Sequence, residues 1–141
     1  MAWRSVRISG FPAPSRRIEL MLRILLVEDD PDVAAVTSAM LEYYGYHVTI
    51  AIDGRQGLEI LSQEQPELIV TDFMMPLMSG LEMIEKIQDA GRLVPIILCS
   101  AISETHFPPH RARYDVFLQK PYDAKALIQA VETLRKRNQT P

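Results

Sequence analysis

Cysteine is nearly absent: the 141-residue chain holds one, Cys99, and cannot form a disulfide within itself. A disulfide scaffold is excluded, and a reducing compartment, the cytoplasm, is expected. Cys99 lies inside the apolar run Ile96-Ile97-Leu98-Cys99 with no evident partner base, so it reads as a small core residue rather than a nucleophile. Long apolar runs are missing as well. None approaches the roughly 18 residues a membrane-spanning helix needs. Residues 1–22 also lack the roughly 7–15-residue apolar stretch of a secretory signal peptide. No membrane insertion is expected. A Gly-rich loop ending in Lys-Ser or Lys-Thr is absent, which removes the usual signature of a nucleotide-binding loop.

Positive charge is scarce in the body of the chain. The formal net charge is −3, but residues 24–134 hold 7 basic against 17 acidic side chains, a net of −10. The basic residues gather at the ends, with Arg4, Arg7, Arg16, Arg17 and Arg23 near the start and Arg135, Lys136 and Arg137 near the finish. An acidic body repels a phosphate backbone, so no direct contact with nucleic acid is expected. The basic ends read as solvated tails.

What is present is enough for one core. Hydrophobic residues make up 48% of the chain, in keeping with a single globular domain of this length. Residues 1–22, with Gly10, Pro12 and Pro14 and no sustained apolar period, read as a flexible N-terminal extension, and Met21 as an alternative start. The domain is expected over residues 23–134, with a basic and polar tail at 135–141.

From Arg23 onward, short apolar runs alternate with helical periodicity. Strands are predicted at about 23–27, 47–51, 67–71, 95–99 and 116–119. Runs apolar on successive residues suit strands covered on both faces. Asp30 and Pro31 make a helix start, followed by Val33, Val36, Met40, Leu41 and Tyr44 on the face expected to turn inward, with Gly45 as the stop. A second helix follows Asp53-Gly54 and buries Leu58 and Leu61. A third follows Ser79-Gly80, with Leu81, Ile84 and Ile87 inward. The last follows Asp123, with Ala124, Leu127, Ile128, Val131 and Leu134 inward. Between Ser100 and Val116 the adjacent Pro108 and Pro109 break the rhythm, since proline inside a helix costs about 3 kcal/mol. Any helix there is expected to be short and to start at or after the prolines. The alternation implies an open parallel α/β sheet, whose functional groups gather at the carboxyl ends of its strands.

Those ends carry chemistry. The first strand runs into Glu28-Asp29-Asp30, the third into Asp72, the fourth into Ser100 and the fifth into Lys120-Pro121. Singly, each has a plain reading: Asp30 begins a helix, Asp72 caps a turn, Lys120 is a surface lysine. Together they form a constellation. Clustered carboxylates repel unless a cation neutralises them, and a few carboxylates with a carbonyl make a seat for Mg²⁺. Asp72 can then act as a nucleophile toward phosphorus, with Lys120 and Ser100 serving phosphoryl oxygens. Phosphoryl transfer asks mostly for position and charge neutralisation. An aspartate-nucleophile phosphatase would carry a second acid two residues after the nucleophile. Here Phe73-Met74 follows Asp72, so an enzyme of that kind is not expected.

On Val27-Glu28-Asp29-Asp30-Pro31, Asp72 through Gly80, Ser100-Ala101 and Lys120-Pro121, the chain from about Arg23 to Leu134 resembles a response-regulator receiver domain of two-component signalling. The resemblance implies a flavodoxin-like, doubly wound five-stranded parallel sheet of order 2-1-3-4-5, here with a short or irregular fourth helix. It implies phosphorylation at Asp72 and Mg²⁺ held by Glu28, Asp29, Asp72 and the Met74 backbone carbonyl. Lys120 would contact the phosphate, Ser100 and Phe117 would be the switch residues, and the peptide before Pro121 would be cis. The implied partners are a histidine kinase or histidine phosphotransfer protein as donor and a downstream protein target. The domain would assist its own phosphorylation and dephosphorylation without being an enzyme otherwise. A phosphorylation-independent interaction module is the alternative, against which the retained acids, hydroxyl and lysine argue.

Three departures matter. Ser79 stands where the family usually has aspartate and still suits a helix cap. The proline-broken segment is expected to reduce the usual output and dimer face and to show weak hydrogen-exchange protection across residues 103–113; oligomeric state stays open. Met74 and Ile102, which flank the phosphoryl position by resemblance, are apolar, so self-dephosphorylation is expected to be slow. After Leu134 only residues 135–141 remain, which leaves a stand-alone regulator and a receiver cut from a longer protein both open.

Overall fold

The structure, a computed structural model, describes residues 21–139. Of the extension expected over residues 1–22, residues 1–20 lie outside them. Five strands form one sheet: β1 (Arg23–Val27), β2 (His47–Ala51), β3 (Leu68–Asp72), β4 (Ile96–Ser100) and β5 (Val116–Gln119). All pairings are parallel and the order is β2-β1-β3-β4-β5. This is the open parallel sheet that the alternation predicts, in the flavodoxin-like, doubly wound order that the resemblance implies. Strands β3 and β4 sit one residue later than predicted. Pro95 has no N–H for the ladder, and pairing runs on until Asp72 meets Cys99. Asp72 and Ser100 are thus the last residues of their strands.

Among the described residues four helices cover the sheet: α1 (Pro31–Tyr43), α2 (Gly54–Gln63), α3 (Gly80–Asp89) and α4 (Ala124–Gln139). Successive strand residues point to opposite faces and split the core in two. Leu25, Val27, Ile69 and Leu98 pack with Leu61 of α2 and with Ile84 and Ile87 of α3. Ile24, Leu26, Val70, Ile97 and Cys99 pack with Leu41 of α1 and with Leu127, Val131 and Leu134 of α4. Among the described residues no helix is long and apolar enough to cross a membrane.

Three expectations need correction. In α1 the buried residues are Ala34, Thr37, Ser38 and Leu41, while Val33, Val36 and Tyr44 are exposed. Small side chains let this helix lie close to the sheet, and the bulkier stripe faces outward. The last helix continues past Leu134 to Gln139, so a tail beginning at residue 135 starts too early. No Gly or Pro interrupts residues 135–139, and Lys136 and Arg137 suit the negative end of the helix dipole. Between β4 and β5 the only helical turn is a 3₁₀ turn, Glu104–His106, which lies before the prolines and not after them. The Ser103 hydroxyl caps it by accepting the Thr105 N–H, and Phe107, ahead of Pro108, is forced into extended backbone at φ −70°, ψ 144°.

Candidate functional site

Backbone hydrogen bonds carry the ladders one residue past the strands. Glu28 N–H donates to Ala51 O at 3.0 Å, Phe73 N–H to Cys99 O at 2.8 Å, and Lys120 N–H to Ser100 O at 2.8 Å. The strand-end groups therefore converge in one crevice at the carboxyl edge of the sheet. Asp30 caps α1, its side chain accepting from Asp32 N–H and Val33 N–H, while its own N–H donates to Glu28 Oε2 at 3.1 Å. It thereby orients Glu28. The Glu28 contact was not foreseeable from an acid read as a helix start; only its position two residues after Glu28 hints at it.

On the β3 side, Gly80 N–H donates to Phe73 O at 2.8 Å. A Cβ at Gly80 would lie 2.2 Å from the Asp72 carbonyl oxygen, so only glycine lets α3 start this close to Asp72. Ser79 completes a capping box with Glu82.

Lys120 Nζ stands 2.9 Å from Asp72 Oδ1 and 3.3 Å from Glu28 Oε1. The peptide joining Lys120 to Pro121 is cis, as the resemblance implied. Glu28 is buried, Asp72 half-buried and Asp29 exposed. Oxygens of Glu28, Asp29 and Asp72 all lie within 4.8 Å of one another. Burial raises the Asp72 carboxyl above the ordinary carboxylate range and Asp29 adds to this, against the lowering by Lys120. Burial likewise raises Glu28, with Asp72 adding, against the Asp30 N–H and Lys120. For Lys120, burial works against the charge, but Asp72 and Glu28 together outweigh it and the ammonium is held more firmly. Three carboxylates thus face one ammonium, and the site is short of positive charge.

This donor set fits a hard divalent cation. Mg²⁺ takes oxygen ligands, a few carboxylates among them, at about 2.0–2.1 Å, and the oxygens of Glu28, Asp29 and Asp72 are gathered closely enough to share one ion after small side-chain adjustment. A cleft of about 410 Å³ is lined by Asp29, Phe73, Met74, Met75, Pro76 and Ser79.

The other anticipated residues fall around this centre. Ser100 is buried at the end of β4, its hydroxyl accepting the Ile102 N–H at 3.1 Å. Met74 is 60% exposed beside the crevice, and Ile102 is half-buried. Phe117 on β5 pairs with Leu98 and packs against Phe107 at 5.7 Å between ring centroids. The part Phe107 plays went unread in the sequence. Its ring also meets that of Phe73 at 4.6 Å, and the available signal was an aromatic residue inside an otherwise polar, proline-broken stretch.

A sequence model described as the response regulator receiver domain matches residues 24–132. The transcriptional regulatory protein DltR of Streptococcus agalactiae is 34% identical over 118 residues, covering 82% of this chain and 52% of DltR. The response regulator MprA of Mycolicibacterium vanbaalenii is 33% identical over 119 residues, covering 82% of this chain and 51% of MprA. The chain thus spans about half the length of these relatives. Among solved structures, the response regulator TrrA of Thermotoga maritima in complex with Mg²⁺ and BeF is similar at 28% identity and a TM-score of 0.74, covering 81% of this chain and 99% of that one.

Proposed function

The chain belongs to the response regulator receiver domain family, and from that premise we propose that it accepts a phosphoryl group on Asp72 from a phosphohistidine donor. The supporting observation is the placement of Lys120 Nζ between Asp72 at 2.9 Å and Glu28 at 3.3 Å, with Asp29 beside them. One oxygen of Asp72 attacks phosphorus, the bond from phosphorus to the donor's imidazole nitrogen breaks, and an acyl phosphate results. Lys120 stays with the Asp72 side chain and takes up charge on the phosphoryl oxygens. Ser100 turns its hydroxyl from the Ile102 N–H to donate to a phosphoryl oxygen, and Phe117 follows as the switch aromatic.

Glu28, Asp29, Asp72 and the Met74 carbonyl would hold Mg²⁺, which supplies the positive charge that three carboxylates and one lysine lack. The similar TrrA structure carries Mg²⁺ and BeF, which supports the same ion for this chain. A histidine kinase or histidine phosphotransfer protein is the donor. A downstream protein reads the altered surface, because a charge change at one carboxylate biases a two-state element.

The test compares wild type with Asp72→Asn in Mg²⁺ with acetyl phosphate and with beryllofluoride. Wild type is expected to gain one phosphoryl group by intact mass and to change its spectrum with either reagent, and the variant to do neither. A wild type that responds to neither reagent would sink the reading.

A further inference from the structure

Among the described residues, Met74 is the one methionine that solvent reaches freely, at 60% exposure. Met83 is fully buried, Met75 and Met78 pack against the core shared with α2 and α3, and Met40 packs against the opposite core. Met21 is half-buried. The remaining sulfur, Cys99, is buried in β4, and burial pushes its thiol up to about 12, so almost none of it is the reactive thiolate near neutral pH. A peroxide entering from solvent therefore meets one accessible sulfur among the described residues, and it stands two residues beyond Asp72.

The backbone between Asp72 and Met74 is pinned. Phe73 donates its N–H to Cys99 O at 2.8 Å, and its carbonyl accepts the Gly80 N–H at 2.8 Å. Met74 then lines the cleft of about 410 Å³ together with Asp29, whose carboxylate comes within 4.8 Å of that of Asp72. An unbranched side chain with three rotatable bonds can sweep the space beside Asp72 while its backbone stays fixed.

What that side chain offers depends on its oxidation state. A thioether is a weak hydrogen-bond acceptor and does little to hold a water. A peroxide passes one oxygen to the sulfur: the O–O bond breaks, an S–O bond forms, sulfur loses two electrons, and the peroxide leaves as water or an alcohol. The sulfoxide oxygen is a strong acceptor on a side chain of nearly the same length. A water that donates one hydrogen to it keeps a lone pair for phosphorus. Attack by that water breaks the bond from phosphorus to the Asp72 oxygen, returns the carboxylate and releases inorganic phosphate, and the surplus proton passes to solvent.

We propose that Met74 is a reversible oxidation site whose sulfoxide shortens the life of the acyl phosphate on Asp72. The chain then answers two inputs at neighbouring residues, a phosphohistidine donor at Asp72 and a peroxide at Met74. The proposal rests on Asp72 being the phosphoacceptor.

The experiment treats the full 141-residue protein with hydrogen peroxide under native conditions and reads oxygen uptake at each methionine by peptide mass mapping. Excess peroxide is removed, acetyl phosphate and Mg²⁺ are added, and loss of the phosphoryl group after removal of the donor is followed by intact mass. Met74 is expected to oxidise first among the described methionines. Oxidised wild type is expected to lose its phosphoryl group at least about fivefold faster than untreated protein, through positioning of the attacking water. Methionine sulfoxide reductases, one for each sulfoxide epimer, are expected to restore the slow rate with a thiol reductant, which damage to the fold would not allow. Met74→Leu, compared with itself before and after peroxide, is expected to show a single rate. Oxidised Met74 with unchanged decay overturns the proposal, as does peroxide-driven acceleration that Met74→Leu retains, or oxidation that bypasses Met74. Each of these leaves the phosphoacceptor reading standing. Untreated protein that takes up no phosphoryl group overturns that reading and the proposal together.

Discussion

Asp72 lies 2.9 Å from an ammonium, yet its carboxyl is pushed above the ordinary range, because burial and Asp29 outweigh the pull of Lys120. Such a carboxylate gains from each additional positive group, whether a bound cation or the phosphorus of an incoming donor. What Met74 and Ile102, beside the crevice, do not offer is a group that orients water. Met74 is 60% exposed beside Asp72 and carries only a thioether, and Ile102 is a half-buried hydrocarbon. Neither side chain can take a proton from water or hold it in line. Loss of the acyl phosphate is therefore expected to be slow, and a lifetime of seconds in purified protein with Mg²⁺ would count against this account. Met74→Gln puts an amide at the same place and leaves the backbone carbonyl. It is expected to speed the loss by roughly tenfold, through positioning of the attacking water. Radiolabel decay after removal of the donor measures both rates.

At the scale of the elements, α1 and α3 approach the sheet by opposite means. Helix α1 rests on Ala34, Thr37, Ser38 and Leu41 and turns Val33, Val36 and Tyr44 outward. Periodicity alone read the larger apolar residues as the inner face, because hydrophobicity and size both pointed that way; a helix close to its sheet selects small residues instead. Val36 is 64% exposed, so Val36→Lys is expected to change stability by no more than about 0.5 kcal/mol in urea unfolding. A loss of several times that would restore the inward reading. Helix α3 starts against the end of β3, where a Cβ at Gly80 would meet the Asp72 carbonyl oxygen at 2.2 Å. Gly80→Ala must push α3 or Asp72 aside. It is expected to cost about 3 kcal/mol of stability, at the upper end of overpacking, and to slow phosphoryl uptake as well. Equal uptake rates for variant and wild type would show that α3 does not set the position of Asp72. The strand ends were legible because Glu28, Asp72, Ser100 and Lys120 each close an apolar run. Phe107 was not, since its partner Phe73 is distant in sequence and only the fold brings the rings of Phe73, Phe107 and Phe117 together.

Over the whole molecule, carboxylates of two kinds oppose each other as pH changes. Glu28 and Asp72 have raised pKa values, chiefly through burial. The folded state then holds more protons than the unfolded one between the ordinary carboxylate range, near 4, and the raised values. Their contribution to stability is full below that range and is lost as pH rises through it. Asp89, beside Arg111, and Glu132, beside Arg135 and the Tyr46 hydroxyl, are lowered, and their contributions are lost as pH falls. The raw stability curve mixes both kinds, but the difference between wild type and Asp72→Asn isolates the crevice. Without divalent ions the variant is expected to gain on wild type as pH rises from about 4 toward neutral. Added Mg²⁺ must compete with protons for the same oxygens, so its effect on wild type should run the other way. At ten times its dissociation constant it should stabilise by about 1.4 kcal/mol near neutral pH. The increment should fade as the carboxyls protonate. Thermal unfolding with and without Mg²⁺ across this range, for wild type, Asp29→Asn and Asp72→Asn, reads the increment directly. An increment equal at acidic and neutral pH, or retained in full by both variants, would place the ion somewhere other than among Glu28, Asp29 and Asp72.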